Sequence, residues 1–374
     1  MKKIIVCPDS FKGSLTAFEV TKTITDSIKE LSDDIEVVPI PLADGGEGTA
    51  SILSKYGYEN KVKLATVDAL GHPIEASYLI SSDGKGAFIE SASALGIALL
   101  NPKDLNPLIA SSYGLGLIVK DAVEMGCKEI TISLGGSATC DGGMGMLDAL
   151  GYRFFDSLGQ PLKGNGKNLI KISKIVSPSD NYNLVNPDNL KFTTACDVKN
   201  PLYGPNGASY VFAPQKGAKP QDLPFLEMGL RNLARHRNHG DFHLKNGAGA
   251  AGGIGFAMFA FLNSNYVSGI DFILQKIGFE DRIVDSDILI TGEGKIDHQS
   301  LMGKVLEGVL EVANKHKIEV IALAGKVEDE KLILKSGVKS IYEIADPRLS
   351  LEENILPKNA KANLRKAIRK IFGN

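Results

Sequence analysis

Short apolar runs, each followed by a polar loop and then a helical pattern, recur along this 374-residue chain. The clearest runs are "KIIVC", "IEVVPI", "EITISL", "DILIT", "IEVIALAG" and "SIYEIA". Strands that alternate with helices in this way predict a parallel sheet with helices on both faces. The six runs therefore predict an α/β fold built on one open, doubly wound, mostly parallel six-stranded sheet of the Rossmann or flavodoxin-like class.

The length of the chain predicts two domains, because it is too long for one ordinary hydrophobic core. Residues 151–230 break the strand–helix rhythm with short strands and loops rich in Pro, Asn and Gly. We expect a second, mixed α/β domain inserted into the first, with the active site in the cleft between them. The parallel domain would comprise 1–65, 111–150 and 284–374, and the inserted domain 66–110 and 151–283.

Charge and composition argue against several classes of protein. The formal net charge of −2 gives no field that would recruit nucleic acid or an anionic membrane. The sequence contains no apolar run of about 18 residues, so we expect no membrane span. The stretch "MKKIIVCPDS" lacks the apolar core of a signal peptide. The four cysteines lack CxxC spacing, which argues against disulfides and a structural zinc site. We expect a cytoplasmic enzyme, a monomer or homodimer, with no nucleic-acid or membrane partner.

The loop "DSFKGS" follows the first apolar run. Ligands of doubly wound sheets bind at the carboxyl ends of the strands, so polar side chains in such loops are candidate site residues. Asp9 could hold a metal or accept a proton, and Lys12 could neutralise a phosphate. Ser10 or Ser14 could bind anionic oxygens. The structural alternative is that Ser14 or Thr16 caps the next helix.

Two further acidic loops follow predicted strands. In "ADGGEG", Asp44 and Glu47 flank glycines, which suits magnesium or hydrogen bonds to hydroxyl groups. In "TGEGKIDHQS", two acids and a lysine suit metal-assisted phosphoryl transfer; they are Glu293, Lys295 and Asp297. The structural alternatives are an acid favourable to a helix dipole in the first loop and helix capping in the second.

The stretch "SLGGSATCDGGMG" (133–145) contains five glycines, one acid and three hydroxyl side chains. Glycines at a strand-to-helix turn let backbone N–H groups point at an anion, and Ser137 and Thr139 add hydroxyl donors. Asp141 would repel a phosphate directly, so it would act through magnesium or on a sugar-like hydroxyl. The alternative is a purely structural tight turn.

Two other loops and one motif complete the candidates. "ACDVKNPLYGPNGAS" contains Asp197 and Asn200, and "APQKGA" contains Gln215 and Lys216; ordinary loop structure is the alternative for both. No GxxxxGK[ST] pattern occurs, which excludes an ordinary P-loop. "GAGAAG" (247–252) matches GxGxxG, but no apolar strand precedes it, so close helix packing is favoured over NAD binding.

These loops together resemble the bacterial glycerate kinase family, the type without a P-loop. The matching stretches occur in the family's order and are "PDSFKGSL", "PLADGGEGT", "LGGSATCDGG", "ACDVKNPLYGPNGAS", "FAPQKGA", "GAGAAGGIG" and "TGEGKIDHQS". The resemblance implies ATP-dependent phosphorylation of D-glycerate, giving 2-phosphoglycerate and ADP, with magnesium. It also implies two unlike α/β domains.

The expected mechanism is in-line transfer from ATP to a glycerate hydroxyl, in which positioning and charge neutralisation dominate. Either Asp197 or Asp9 would orient or deprotonate the hydroxyl. The candidate catalytic residues are Asp9, Lys12, Asp197, Glu293 and Asp297. The candidate metal ligands are Asp44, Glu293 and Asp297. The candidate substrate- or phosphate-binding residues are Ser10, Ser14, Asp44, Gly45, Gly46, Glu47, Gly135, Gly136, Ser137, Thr139, Asp141, Asn200, Gln215, Lys216 and Lys295.

Three other functions stay open at this point. Phosphorylation at the 3-hydroxyl of glycerate is one. An NAD-dependent hydroxyacid dehydrogenase is another, which rests on GxGxxG and the doubly wound sheet. A non-catalytic sensor of a sugar acid is the third, although the chain shows no helix-turn-helix pattern or basic patch. Residues 135–143, which we name the glycine loop, would bind either a phosphate or the glycerate carboxylate.

Overall fold

The computed structural model describes residues 2–46, 48–178, 189–237 and 240–373. Its strands are, in chain order, β1 (Lys2–Val6), β2 (Ile35–Pro39), β3 (Asn60–Val67), β4 (Pro73–Ile80), β5 (Gly86–Glu90), β6 (Glu129–Ser133), β7 (Arg153–Phe155), β8 (Lys174–Val176), β9 (Lys191–Ala195), β10 (Asn265–Val267), β11 (Ile288–Ile296), β12 (Glu319–Val327) and β13 (Val338–Glu343).

The α-helices within the described residues connect these strands and cover the sheets. They are α1 (Ala17–Lys29), α2 (Thr49–Leu53), α3 (Ala92–Leu95), α4 (Tyr113–Glu124), α5 (Met144–Ala149), α6 (Ala208–Phe212), α7 (Asp222–Arg235), α8 (Ala250–Phe261), α9 (Gly269–Lys276), α10 (Phe279–Ile283), α11 (Val305–His316), α12 (Glu330–Lys335), α13 (Leu351–Ile355) and α14 (Pro357–Phe372). The chain divides into two compact units. The first unit is Met1–Tyr56 with Ser268–Asn374, and the second unit is Gly57–Val267.

The first unit is built on a five-stranded sheet with the order β13-β12-β11-β1-β2, in which every neighbouring pair is parallel. From β1 the chain moves outward to β2, and from β11 it moves the other way to β12 and β13. The order therefore reverses between β1 and β11. In doubly wound sheets, ligands bind at such a switch point, outside the carboxyl ends of the strands.

Helices bury both faces of this sheet, which explains why its central strands contain continuous apolar runs. Ile4, Ile5 and Val6 of β1 are all inaccessible to solvent. On one face, apolar side chains of α1 and α14 join the core with Ile4 and Val6. Helix α1 begins at a capping box in which Thr16 and Glu19 exchange hydrogen bonds. Of the two residues proposed as the cap, Thr16 has that role.

The second unit contains a six-stranded mixed sheet with the order β10-β9-β6-β5-β4-β3. Strands β3, β4 and β5 pair antiparallel, and β5, β6, β9 and β10 pair parallel. Strands β7 and β8 form a separate antiparallel pair. The hydrophobic core of the second unit contains buried aromatic side chains from β9 and α8, namely Phe192, Phe256 and Phe259.

The structure differs from the sequence expectation in where strand β6 lies. We expected 111–150 in the first sheet, but β6 pairs with β5 and β9 in the second unit. The first sheet consequently has five strands instead of six. Residues 268–283, expected in the inserted domain, belong to the first unit, and 57–65 belong to the second. An apolar run indicates a strand buried on both faces, but it does not specify the neighbours with which that strand pairs.

Candidate active site

Three carboxylates lie at the carboxyl edge of the first-unit sheet. Asp9 follows β1, Asp44 follows β2, and Glu293 lies near the end of β11. These strands are consecutive in the sheet, so their carboxyl ends are adjacent. All three side chains are buried. We call Asp9, Asp44, Glu293 and the neighbouring Lys12 the acidic cluster.

Lys12 is the cation of this cluster. Its Nζ lies 3.2 Å from Oδ2 of Asp44, while Oδ1 of Asp44 accepts a hydrogen bond from the N–H of Gly46 at 3.0 Å. Burial alone would lower the pKa of Lys12, but the carboxylates of Asp44, Asp9 and Glu293 raise it overall. Lys12 therefore stays protonated at neutral pH and offsets part of the negative charge.

Asp9 is the carboxyl group of the cluster whose pKa lies near neutral pH. Burial, followed by the nearby Asp44 carboxylate, raises the pKa of Asp9 to about 7, while the N–H of Ser10 opposes this shift at 2.5 Å. Burial also raises the pKa of Glu293, whose oxygens accept hydrogen bonds from Ser300 Oγ at 3.1 Å and Leu306 N–H at 3.3 Å. A carboxyl group whose pKa lies near 7 can exchange a proton under physiological conditions.

Two cavities open on the loop after β1. A large cavity of about 670 Å³ is lined at one end by Asp9, Lys12 and Glu293, and at the other by residues of α13 and α14. A second cavity of about 410 Å³ also contacts Asp9 and Lys12 and extends toward α1 and α2. Ser14 contributes to both cavities. Its buried Oγ has no hydrogen-bond partner among the described residues, so it is available to a ligand.

Lys295 and Asp297 are engaged with other protein groups. The Nζ of Lys295 lies 3.1 Å from Asp297 and 2.9 Å from Glu328. Asp297 also caps the following turn by accepting the Gln299 N–H at 2.9 Å. Burial would raise the pKa of Asp297, but contact with Lys295 lowers this pKa overall. This geometry favours the capping interpretation of Asp297, while Lys295 lines the large cavity.

The glycines of "ADGGEG" have structural explanations. Gly45 has φ of +92°, and a Cβ there would lie 2.6 Å from the Cα of Gly269. Gly46 donates its N–H to Asp44. This glycine pair thus allows close packing against α9 and orients the Asp44 carboxylate. Glu47, the other acid proposed in this loop, lies outside the described residues.

In the second unit, Asp141 faces the protein interior. One oxygen accepts hydrogen bonds from the N–H and the hydroxyl of Ser112, both at 2.8 Å, and from Gly145 N–H at 3.0 Å. The other oxygen accepts one from Gly143 N–H at 3.1 Å. Burial raises the pKa of Asp141, and these four bonds oppose that shift. Asp141 joins the start of α5 to the start of α4, instead of facing a metal or a substrate hydroxyl as we expected.

A small cavity of about 210 Å³ lies beside the glycine loop, and its lining includes Gly135, Gly136, Gln215 and Lys216. The buried Nζ of Lys216 donates to Ser137 Oγ at 3.2 Å and to the carbonyl of Thr139 at 2.7 Å. Burial lowers the pKa of Lys216 to about 8. The loop and Lys216 thus come together around a space suited to an anionic group.

The GxGxxG match at 247–252 packs against the glycine loop. Ala251, Gly252 and Gly253 all have positive φ at the start of α8. A Cβ at Gly252 would lie 2.0 Å from the carbonyl oxygen of Thr139. The segment is therefore a close-packing element, as expected, and it follows a short 3₁₀ turn instead of the strand that a dinucleotide fingerprint requires.

The remaining two candidates lie in the loop after β9. Asn200 Nδ2 donates to the carbonyl of Asn206 at 2.8 Å, and its own carbonyl accepts the Gly249 N–H at 2.9 Å. These contacts favour ordinary loop structure for Asn200. Asp197 is half-buried, and it adds to the burial that raises the pKa of the Cys196 thiol to about 12.

The acidic cluster can hold magnesium only if substrate phosphates and water supply the other ligands. Among the described residues, no group of three or more His, Cys, Asp or Glu side chains is arranged to hold a metal alone. Magnesium is often held by one or two carboxylates together with substrate phosphates and water. Asp44 and Glu293 offer such carboxylates. The Asp297 carboxylate already contacts Lys295 and accepts the N–H of Gln299. Sequence reasoning missed Lys304, whose charge opposes the rise in the pKa of Glu293 and which also lines the large cavity.

An acidic cluster at a switch point and glycine-rich loops after strands, without a P-loop, are typical of an α/β enzyme that handles acidic or phosphorylated small molecules. The family model described as the glycerate kinase family matches residues 4–373. This chain belongs to the glycerate kinase family, which confirms the resemblance and the α/β fold class.

Individual relatives match over nearly the whole chain. Glycerate 2-kinase of Escherichia coli K12 is 38% identical, with 99% of this chain and 97% of that protein covered. Glycerate kinase of Bacillus subtilis 168 is 36% identical, with 94% and 92% covered. A crystal structure assigned as glycerate kinase 2 from Salmonella typhimurium LT2 superimposes with a TM-score of 0.85 at 36% identity, covering 99% of this chain and 97% of that chain.

The described residues also bear on the membrane expectation. No helix among them combines the length and the apolar character needed to cross a bilayer.

Proposed function

We propose that this chain transfers the γ-phosphoryl group of ATP to the 2-hydroxyl of D-glycerate, forming 2-phosphoglycerate and ADP. Membership of the glycerate kinase family supports the reaction, and the name of the Escherichia coli relative supports the 2-position. The structural observation that carries the proposal is the acidic cluster at the switch point, where Asp9 has a pKa near 7 beside the cationic Lys12.

In this reaction the 2-hydroxyl oxygen forms a bond to the γ-phosphorus. The bond between that phosphorus and the β–γ bridging oxygen breaks, and ADP leaves with its electron pair. Asp9 accepts the hydroxyl proton, because a carboxylate whose pKa is near the working pH is an effective general base. The proton then passes to solvent. We favour Asp9 over Asp197 as the base because Asp9 is buried in a cluster that raises its pKa.

Lys12 would neutralise the transferred phosphoryl group. Its side chain is 63% exposed and can turn from the buried Asp44 carboxylate to a phosphate oxygen. Asp44 and Glu293 would hold magnesium together with the nucleotide phosphates. The bound ion would reduce the charge repulsion between the phosphates and the attacking oxygen. Positioning and charge neutralisation supply most of the catalysis in such transfers.

The small cavity of the second unit would bind an anionic group of a substrate. Lys216 and Ser137 supply polar hydrogens to it, and the glycine loop supplies backbone donors. A Lys216→Met variant tests this assignment through its KM values. A rise in the KM for glycerate alone would identify the carboxylate site, and a rise in the KM for ATP alone would identify a phosphate site. Unchanged KM values would remove the small cavity from the proposal.

Phosphorus NMR tests the function directly, using purified protein with ATP, magnesium and D-glycerate. A phosphomonoester doublet that requires glycerate identifies the 2-position, because a methine carries one proton. A triplet would identify the 3-position, whose methylene carries two. Intact ATP with no new signal would overturn the assignment. Asp9→Asn should abolish the signal, whereas Asp26→Asn, at an exposed position on α1 of the same unit, should leave it unchanged.

A further inference from the structure

We propose that the large cavity of the first unit is the nucleotide site, with the adenosine bound at its α13–α14 end and the phosphates at the acidic cluster. The inference rests on the proposed kinase activity only for the choice of ATP as the nucleotide. It assigns a binding role to residues 344–363, which no sequence motif had indicated.

The size and position of the cavity fit a nucleotide. Its volume of about 670 Å³ lies within the usual range for small-molecule sites, roughly 300–1,000 Å³. It opens at the carboxyl ends of β1, β11, β12 and β13, on the side of the switch point toward β13. In doubly wound sheets this edge is where nucleotides bind.

The far end of the cavity has an apolar wall, part of which is exposed to solvent. Leu351 and Ile355 are one helical turn apart on α13, and both are among the exposed large apolar side chains of the described residues. Leu351 is 74% exposed. Ile344, which directly follows β13, and Ala360 of α14 continue the wall. Such a wall suits the face of an aromatic base, which would cover these side chains.

The wall is held in place by hydrogen bonds to Asn354. Its Nδ2 donates to the carbonyls of Asp346, Leu349 and Ser350, and its Oδ1 accepts from Asp346 N–H and Asn363 Nδ2. Asn354 is thus a positioning residue. The Asn363 side chain makes one hydrogen bond among the described residues, so it retains a second N–H and its carbonyl oxygen for the polar edge of a base.

The near end of the cavity carries the cations that phosphates require. Lys12, Lys295 and Lys304 all line it. Lys295 is paired with two carboxylates and Lys12 with one. Lys304 has no carboxylate within ion-pair distance among the described residues, which leaves its charge available to a phosphate. The chemical division into an apolar end and a charged end, which carries these lysines together with the acidic cluster, fixes the orientation of the nucleotide.

The test measures binding without turnover, by calorimetry with a non-hydrolysable β,γ-imido analogue of ATP and magnesium. Inorganic tripolyphosphate serves as a second probe that lacks the nucleoside. Leu351→Asp should weaken the analogue about tenfold, the loss expected for about 50 Å² of apolar contact, and leave tripolyphosphate unchanged. Lys304→Met should weaken both probes. Leu158→Asp, at an 83% exposed leucine of the second unit, is the matched control and should change neither.

Several results would overturn the assignment. The assignment is wrong if Leu351→Asp binds the analogue with wild-type affinity. It is also wrong if this variant loses affinity equally for the analogue and for tripolyphosphate. Ile355→Ser provides an independent variant if Leu351→Asp fails to fold. The outcomes also separate this inference from the proposed function. Phosphorylation of glycerate with an unchanged KM for ATP in Leu351→Asp would reject the nucleotide site alone, whereas selective loss of analogue binding in a protein inactive on glycerate would reject the glycerate assignment alone.

Discussion

Lys12 Nζ lies 3.2 Å from Oδ2 of Asp44, although these residues are 32 positions apart and follow different strands. The pair forms because β1 and β2 are parallel neighbours and both loops leave the same edge of the sheet. The Lys12 side chain is 63% exposed, so the ion pair contributes little to stability. The relationship therefore indicates a lysine held ready for a phosphate instead of a structural bridge.

Lys12→Met should separate activity from stability. We expect kcat to fall roughly 100- to 1,000-fold, because charge stabilisation at the phosphoryl group is lost. The free energy of unfolding should change by less than about 1 kcal/mol, since the Lys12 side chain is 63% exposed and Asp44 keeps its hydrogen bond from Gly46. Steady-state kinetics and urea unfolding measure the two effects. Lys22→Met breaks a similar exposed pair on α1 and should affect neither. A large loss of stability in Lys12→Met would contradict this role.

The pKa of Asp9 predicts opposite effects of pH on activity and stability. Below about pH 7 the carboxyl group is protonated, so kcat/KM should fall as the pH is lowered through 7. Its folded pKa is raised above 3.8, so its contribution to stability is present below about pH 4 and is lost as the pH rises through 7. Asp9→Asn should therefore lower kcat roughly 100- to 10,000-fold and abolish the fall of kcat/KM that accompanies a decrease of pH through 7.

Asp9→Asn should also raise the free energy of unfolding at pH 8 by roughly 1–4 kcal/mol, because it removes a buried charge. The gain should shrink at pH 5, where the wild-type group is protonated in the folded state. Urea unfolding at the two pH values checks this. A variant less stable than wild type at pH 8 would show that the Asp9 carboxylate is a stabilising group.

Asp141→Ala should act mainly on folding. It leaves donors on Ser112, Gly143 and Gly145 buried without their acceptor, which should cost roughly 3–5 kcal/mol. Asp156→Ala is the matched control, because Asp156 accepts two backbone hydrogen bonds in an exposed turn and should cost about 1 kcal/mol. Thermal unfolding compares the two variants. A stable but inactive Asp141→Ala protein would instead support the role in substrate binding that the sequence suggested.

Lys216 predicts a pH dependence of the opposite sign to that of Asp9. The pKa of Lys216 in the folded state is about 8, below its ordinary value of 10.5, so the folded protein loses this proton at a lower pH than the unfolded chain does. The stability of the wild type relative to Lys216→Met should therefore increase between about pH 8 and 10.5, by about 3 kcal/mol or less. Unfolding of both proteins across this range measures the difference. A constant difference would show that burial leaves the pKa of Lys216 unperturbed.

Gly252→Ala tests the close approach of the glycine loop and the start of α8. A Cβ at Gly252, where φ is +69°, would lie 2.0 Å from the Thr139 carbonyl oxygen. We expect the free energy of unfolding to fall by more than about 3 kcal/mol, because alanine would be strained in this backbone conformation and its Cβ would clash with the carbonyl. Gly126 also has positive φ but no atom within 4 Å of a Cβ, so Gly126→Ala should cost only about 1–2 kcal/mol. Equal losses would show that the backbone conformation alone requires glycine.

Much of the acidic cluster could be predicted from the sequence. Asp9, Asp44 and Glu293 each follow or end an apolar run, and the carboxyl ends of parallel strands share one edge of a sheet. The capping of α1 by Thr16 could also be read locally, because its partner Glu19 is three residues away. The placement of these residues was predictable because it depends on local sequence and on a general rule for parallel sheets, while the catalytic and metal-binding roles of the three acids stay predictions.

Other features depend on contacts between distant residues. Asp141 and Asp9 both occur in loops after strands, yet Asp141 is enclosed by donors from α4 and α5, while Asp9 lines two cavities. The apolar wall at Leu351 and Ile355 carried no motif, because its role comes from facing the end of a sheet formed by remote strands.

The sequence by itself determined the elements, the glycine-rich loops and the chemical groups they carry, because periodicity and turn chemistry are properties of neighbouring residues. Only the tertiary structure decided that β6 joins the second sheet, that Asp141 is buried, and that Lys304 lies beside Glu293. Strand pairing, burial and pKa are set by which distant groups come together, and no local pattern encodes those neighbours.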